Sequence, residues 1–212
     1  MDFHIVIPAR RDSKGVPFKN RLLLENTISI IPQDMMTKTI VSTNDDVIES
    51  TLQEQGLGVH RRSERSAIDS ASTVECLREV IDEYNLKGTI VMMYLTYPER
   101  CWSDILGIYN WYKHNKAKSL LCREEITKDH PYLCAFEMEG NKGKQVVDHN
   151  LYRRQDYPKC FRISWFVSMF ETAELSNLNL NLYNEDTIYF PIKQALDIDT
   201  PFDMENLTKR NS

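Results

Sequence analysis

The sequence predicts an α/β domain in which helices cover both faces of a mostly parallel sheet. The main observation is that short apolar runs alternate with amphipathic segments of helical period between residues 4 and 123, which is typical of strand–helix–strand units. The length of 212 residues fits one such domain. Hydrophobic residues make up 42% of the chain and charged residues 27%, which is typical of a globular protein and excludes a disordered one.

Each element of the first half is predicted from its own pattern. The run HIVIPA at 4–9 is a short apolar strand that ends at Pro8 and a charged loop. The helix at 72–84 carries apolar side chains at helical spacing, and the hydroxyl of Ser72 or Thr73 can cap its first turn. The predicted strands are 4–9, 39–43, 58–62, 89–95 and 119–123, and the predicted helices are 45–55, 72–84 and 103–114.

The pattern changes after about residue 130. A Gly-Asn-Lys-Gly turn lies between two short strand-like runs, which predicts a hairpin. We therefore predict a single domain over residues 1–212 with a small β-rich insertion near residues 130–165. The strands predicted in this half are 132–137, 143–147, 161–170 and 187–192, and a closing helix is predicted at 200–210.

Charge, hydropathy and cysteine content narrow the functional classes. The 26 basic and 31 acidic residues give a net charge of −5, without the basic footprint of a nucleic-acid-binding protein. The longest apolar run, residues 89–97, is less than half of the about twenty residues that a membrane-spanning helix needs, and the N-terminus lacks a signal-peptide pattern. The five cysteines form no C-x-x-C motif, so we expect neither a disulfide framework nor structural zinc. These features predict a cytoplasmic protein with neither nucleic acid nor a membrane as its partner.

The strongest local signal is the loop that follows the first predicted strand. It carries four cations, Arg10, Arg11, Lys14 and Lys19, and one glycine, Gly15. Ligands of open α/β sheets bind beyond the carboxyl ends of the strands, and phosphate oxygens form strong charge-assisted hydrogen bonds with such cations. The loop matches neither G-x-x-x-x-G-K-[ST] nor G-x-G-x-x-G. Its charge alone also fits a solvated basic loop.

A second signal is the pair of carboxylates Asp197 and Asp199. On an extended segment, residues i and i+2 point to the same side. This suits a hard cation such as Mg²⁺, which keeps water and substrate phosphates as its other ligands. The alternative is a turn, or a helix-capping aspartate ahead of Pro201. Two further charged loops, 62–69 and 153–159, fit either a plain surface or a site.

Together these segments resemble the CMP-sugar synthetases, cytidylyltransferases that activate acidic sugars such as N-acylneuraminate. The family's opening motif I-P-A-R-x-x-S-K-G-x-P-x-K-N is matched without a break over residues 7–20. The resemblance extends over nearly the whole chain and implies a Rossmann-like nucleotidyltransferase fold with three α/β/α layers and a small dimerisation element. The other matched segments are 41–45 with V-S-T-[DN]-D, 62–69 with R-x-x-x-x-A-x-D, 153–158 with R-R-Q-D-x-P, and 196–200 with the closing D-I-D-T.

The resemblance implies a Mg²⁺-dependent reaction, CTP + acidic sugar = CMP-sugar + diphosphate. CTP and the sugar are then the partners, and the resemblance allows for a homodimer. The matched positions imply catalysis by Arg10, Lys14, Lys19 and Asp199; nucleotide binding by Ala9, Arg10, Ser13, Lys14, Gly15, Asn20, Arg62 and Asp69; sugar binding by Tyr94, Thr96, Arg154, Gln155 and Ser164; and Mg²⁺ binding by Asp197 and Asp199.

The departures from the family pattern lie on the sugar side. Tyr94 stands where the family has a sugar-contacting Gln, and Leu133 stands where it often has Lys. Ser164 and Trp165 stand where it has Asn and Gly. Tryptophan fills space and leucine removes a cation, so we expect an acceptor other than N-acetylneuraminate.

Other readings stay open beside this one. A legionaminate- or pseudaminate-type cytidylyltransferase fits the same motifs, whereas a Kdo-type enzyme carries S-T-R in place of residues 13–15 and fits less well. A nucleotide-binding protein that has lost catalysis fits the altered sugar side. The retained cation-rich loop after the first strand, which we call the phosphate loop, and the retained aspartate pair argue against loss of catalysis. The unbroken opening motif argues against an unrelated ligand.

Overall fold

The computed structural model of the chain describes residues 2–11, 15–68, 70–126 and 128–211. It contains one large sheet and one hairpin. The strands are β1 (Phe3–Pro8), β2 (Thr39–Thr43), β3 (Gly58–Arg61), β4 (Thr89–Met92), β5 (Ser119–Glu125), β6 (Ala135–Met138), β7 (Lys142–Gln145), β8 (Phe161–Glu171) and β9 (Ile188–Ile192).

The large sheet has seven strands in the order β3-β2-β1-β4-β8-β5-β9. The strands β3, β2, β1 and β4 pair in parallel, as do β5 and β9. Strand β8 is antiparallel to both of its neighbours, β4 and β5. The predicted α/β class with a mostly parallel sheet is therefore confirmed, and β8 is its one reversed strand.

Helices connect the strands, and local capping residues begin several of them. The Asp45 side chain accepts a hydrogen bond from the Val47 amide, and Ser72 and Glu75 form a capping box, which confirms the predicted cap. None of the helices in the described part of the chain is long and apolar enough to cross a membrane. The helices are α1 (Lys19–Ile28), α2 (Gln33–Met36), α3 (Asp46–Glu54), α4 (Glu64–Ala67), α5 (Thr73–Glu83), α6 (Trp102–His114) and α7 (Pro201–Asn211).

The core lies on both faces of the sheet. Alternate residues of β1 face opposite sides: Ile5 and Ile7 join a cluster packed with α1, α3 and α6, whereas Val6 joins a cluster packed with α5. A strand with both faces buried reads as a continuous apolar run, which explains why β1 was readily predicted. The carboxyl ends of β1, β2 and β4 are left at one edge, between the two helical layers.

Residues 128–160, which we call the hairpin arm, have no buried residue. The arm contains β6 and β7 and two 3₁₀ turns, Pro131–Leu133 and Arg154–Asp156. It corresponds to the predicted β-rich insertion. Apolar side chains on it are exposed, including Phe136 at 60% and Tyr152 at 95%.

Candidate active site

Six of the predicted site residues line one cavity at the carboxyl edge of the sheet. The cavity has a volume of about 290 Å³, and the start of α5 forms its far wall. This is the place where an open α/β sheet binds its ligand. The six residues are Arg10, Lys19, Asn20, Arg62, Tyr94 and Thr96.

Side-chain hydrogen bonds to backbone carbonyls hold the start of the phosphate loop against its neighbours. The Asn20 side-chain amide donates to the Arg10 carbonyl at 2.7 Å, which ties the two ends of the loop together. Ala9 is fully buried, and its carbonyl accepts from the Thr43 hydroxyl at 2.7 Å. Ala9 therefore supports the cavity from below through its backbone, without lining it.

Lys19 connects this loop to the aspartate segment. Its ammonium donates to the Ile198 carbonyl at 2.7 Å and to Asp199 Oδ1 at 2.9 Å. The Lys19 side chain is only 10% exposed, whereas that of Asp199 is 69% exposed. The predicted phosphate-binding lysine thus also orients a predicted metal ligand.

Gly15 makes the same connection through the backbone. A Cβ added at Gly15 would lie 2.0 Å from the Asp199 carbonyl oxygen and 3.2 Å from its carbon. The backbone therefore approaches so closely that only glycine fits. Three other predicted nucleotide-binding residues, Ser13, Lys14 and Asp69, lie outside the described residues.

The donor set of Asp197 and Asp199 fits a hard divalent cation. Asp197 Oδ1 is buried and has no hydrogen-bond partner among the described residues. Burial and the nearby Asp199 charge raise the pKa of Asp197, although hydrogen bonds from Thr96 and Tyr97 oppose the shift. No group of three or more metal-ligating side chains occurs in the described part of the chain, so any ion there takes its remaining ligands from water or phosphate.

A second cavity of about 260 Å³ adjoins the aspartate pair. Tyr94 and Thr96 line both cavities and form the wall between them. The Tyr94 hydroxyl hydrogen-bonds with Thr73 Oγ1 at 2.7 Å, and burial raises the pKa of this phenol. Tyr97 and Trp165 also line the second cavity, so three aromatic side chains border the space beside the carboxylates.

The structure does not bring every predicted sugar-binding residue to this space. Ser164 is buried behind Tyr97, whose hydroxyl hydrogen-bonds with Ser164 and Asp197. Arg154 lies on the hairpin arm and lines a separate cavity of about 430 Å³ with His130. Gln155 is exposed on the same arm.

Arg100 holds the backbone beneath the site in place, and the sequence patterns did not predict this role. Its guanidinium is buried and donates to the carbonyls of Tyr94, at 2.9 Å, and Phe166. Burial lowers the pKa of Arg100 to about 10, which leaves it charged at neutral pH. Arg100 therefore links the Tyr94 segment after β4 to β8, and its one sequence signal is a cation two residues after Pro98.

Comparison with known proteins assigns the chain to a family. A family model described as "Cytidylyltransferase" matches residues 4–209. The chain belongs to the cytidylyltransferase family. Two curated relatives are N-acylneuraminate cytidylyltransferases of Streptococcus agalactiae, 27% identical over 160 residues in serotype V and 29% identical over 163 residues in serotype III. Each match covers 71% of this chain and 39% of the relative, so the chain spans about two fifths of the length of these cytidylyltransferases.

Solved structures share the fold of this cytidylyltransferase-family chain. A CMP:2-keto-3-deoxy-manno-octonic acid synthetase complexed with CTP superposes with a TM-score of 0.69 at 13% identity and covers 100% of both chains. A cytidylyltransferase from Leptospira borgpetersenii superposes with a TM-score of 0.63 at 16% identity, over 98% of this chain and 85% of the other. The predicted Rossmann-like nucleotidyltransferase fold is confirmed.

Proposed function

We propose that this chain transfers a cytidylyl group from CTP to an acidic sugar of the nonulosonate class and releases diphosphate. The observation that carries the proposal is the pair of adjoining cavities that share the wall formed by Tyr94 and Thr96. One cavity has the cations expected for a nucleotide triphosphate, and the other has the aspartate pair. Family membership and the N-acylneuraminate cytidylyltransferase relatives support this choice.

The first cavity suits the nucleotide. Arg10, Lys19 and Arg62 line it and bring positive charge to it, and such cations bind phosphate oxygens and stabilise the charge that develops as diphosphate leaves. Lys19 lies where the two cavities meet, because its ammonium contacts Asp199. The reacting phosphorus atom would lie at this junction.

We propose Mg²⁺ as the cofactor, held by Asp197 and Asp199. When bound, such an ion neutralises charge on the phosphates and polarises the oxygen that is attacked. The buried, unpartnered Asp197 Oδ1 is the observation in favour of this assignment, because a carboxylate oxygen that is removed from water without a partner is costly.

The second cavity suits an acceptor that presents an apolar face. The rings of Tyr94, Tyr97 and Trp165 favour an acceptor in which methyl or additional N-acyl groups replace hydroxyls of N-acetylneuraminate. This agrees with the sequence-based expectation of an acceptor other than N-acetylneuraminate, and it makes legionaminate- and pseudaminate-like acids the first candidates.

The test is diphosphate release from CTP and Mg²⁺ with a panel of acidic sugars: N-acetylneuraminate, its deaminated analogue, Kdo, legionaminate and pseudaminate. ATP, GTP and UTP are the nucleotide controls. We expect release with CTP and legionaminate or pseudaminate, at a higher rate than with N-acetylneuraminate. Asp199→Asn should abolish it, whereas Asp186→Asn, at an exposed aspartate outside both cavities, should not.

The outcomes separate the open alternatives. Turnover of N-acetylneuraminate at the highest rate of the panel would contradict the acceptor assignment. CTP binding without any turnover would identify a nucleotide-binding protein with an altered sugar side. Absence of CTP binding would overturn the proposed function.

A further inference from the structure

A buried hydroxyl connects Arg62 to a histidine beneath the nucleotide cavity. Ser42, on β2, is fully buried and lies opposite His60 on β3. Its Oγ is 2.9 Å from His60 Nδ1, 3.2 Å from Arg62 Nε and 3.1 Å from Cys76 Sγ. One hydroxyl therefore contacts three side chains, of which Arg62 lines the cavity.

The hydrogen count of this cluster defines the direction of each bond. Arg62 Nε always carries a hydrogen, so it donates to Ser42 Oγ. The single Ser42 hydrogen then points to His60 Nδ1, which accepts only when it is unprotonated. The remaining lone pair of Ser42 accepts from the Cys76 thiol. The hydroxyl is thus fully used, and His60 carries its hydrogen on Nε2.

The surroundings of His60 favour its neutral form. The ring is 2% exposed, and Nε2 lies 3.6 Å from a Glu83 carboxylate oxygen. Burial lowers the pKa of His60, the charge of Arg62 lowers it further, and the charges of Glu83 and Glu79 on α5 only partly oppose this. A proton added at Nδ1 would face Ser42 Oγ as a second N–H donor beside Arg62, leaving the weakly accepting Cys76 sulfur for the serine hydrogen.

We propose that Ser42 and His60 are positioning residues for Arg62, holding its guanidinium toward the bound nucleotide, and that this hold weakens when His60 takes up a proton. The inference rests on the proposed function, because CTP is taken as the ligand of the cavity. The inference adds two residues outside the cavity wall, Ser42 and His60, that influence nucleotide affinity.

The first test needs no ligand and no variant. Nitrogen-15 NMR of the histidine rings at about pH 7.5 reports the tautomer of His60. The proposal expects the neutral form with hydrogen on Nε2. A ring with hydrogen on Nδ1 would overturn it, whatever the protein binds.

The second test compares the wild type with His60→Asn by calorimetric titration of CTP. The asparagine Oδ1 replaces Nδ1 as an acceptor and cannot be protonated. We expect similar Kd values near pH 8. As the pH falls and His60 is protonated, the wild-type Kd should weaken relative to that of His60→Asn, by about 3- to 10-fold in full, the effect of one hydrogen bond. Protonation of CTP itself affects both proteins equally, so the ratio isolates His60. A ratio that stays constant across the pH range in which NMR shows His60 taking up its proton would overturn the proposal.

The third test is a double-mutant cycle of Ser42→Ala and Arg62→Ala. Ser42→Ala should weaken CTP binding about 3- to 10-fold, raise KM more than it lowers kcat, and have no further effect in the Arg62→Ala background. Additive effects would overturn the positioning role. If the wild type binds CTP and Ser42→Ala has no effect, this inference alone is rejected. If the wild type does not bind CTP, the proposed function is rejected together with it.

Discussion

Gly15→Ala tests whether the contact between the phosphate loop and the aspartate segment is needed for activity. The added methyl carbon would lie 2.0 Å from the Asp199 carbonyl oxygen, and ordinary contacts begin at 3.4 Å. The two backbones would have to separate by about 1.4 Å, because neither atom belongs to a flexible side chain. Asp199 would move with its backbone, and Lys19 would lose the geometry of its two hydrogen bonds.

Two magnitudes follow from this displacement. Forced overpacking costs about 1–3 kcal/mol, which corresponds to a fall in Tm of about 2–12 °C for a chain of this size. A misplacement of about 1 Å at a reacting centre costs about 100-fold in rate. We therefore expect kcat/KM for diphosphate release to fall by about 100-fold while the protein stays folded at room temperature.

Gly107→Ala is the matched control. A Cβ added at Gly107, inside α6, meets no atom within 4 Å, and alanine is about 1 kcal/mol more favourable than glycine in a helix interior. We expect wild-type kcat/KM and an unchanged or higher Tm. If kcat/KM of Gly15→Ala stays within about 3-fold of the wild type, the contact between the phosphate loop and the Asp199 segment is not needed for activity, since a shift of this size at a reacting centre is expected to be costly.

Three further predictions concern charged residues. Asp199→Ala should nearly abolish turnover while circular dichroism and Tm stay close to the wild type, and wild-type activity would remove the metal assignment. Arg100→Ala should lower the free energy of unfolding by about 3–5 kcal/mol in urea titrations, because it leaves two buried carbonyls without their charged donor; a loss below about 1 kcal/mol would contradict the role of Arg100. Asp45→Asn should cost about 1.5–3 kcal/mol near neutral pH. Burial alone would raise the pKa of Asp45, yet the hydrogen bonds from Arg21 and the α3 backbone hold it below its ordinary value of 3.8. The difference in unfolding free energy between Asp45→Asn and wild type should therefore persist above pH 5 and shrink as the pH falls below about 4. A constant difference down to pH 3 would contradict the pairing of Asp45 with Arg21.

Local patterns were enough to predict most elements and the place of the site. The apolar run of β1 followed at once by cations identified a ligand loop at the sheet edge, and the structure has Arg10, Lys19 and Asn20 in that cavity. The Ser72 cap was predicted because a capping box involves residues three apart in sequence. Such signals lie within one turn or one strand, so they can be recognised in the sequence without knowledge of the fold.

The direction of β8 could not be predicted in this way. Strand periodicity has the same form in either direction, and the partner of a strand is chosen by packing and connection. Ser164 lies on β8, so its place behind Tyr97 depended on the same choice. The arm residue Arg154 was assigned to the sugar by resemblance, and in the single chain it lies at another cavity.

Sequence alone was sufficient to predict the α/β class, the phosphate loop and the carboxylate pair, because each depends on neighbouring residues and their period. The three-dimensional fold was needed to show that Gly15 and Lys19 meet the Asp199 segment, about 180 residues further along the chain. It also decided that Ser42 joins His60 to Arg62. These contacts arise because parallel strands bring their carboxyl ends to one edge of the sheet. The separation of two residues along the sequence does not tell how close they lie at that edge.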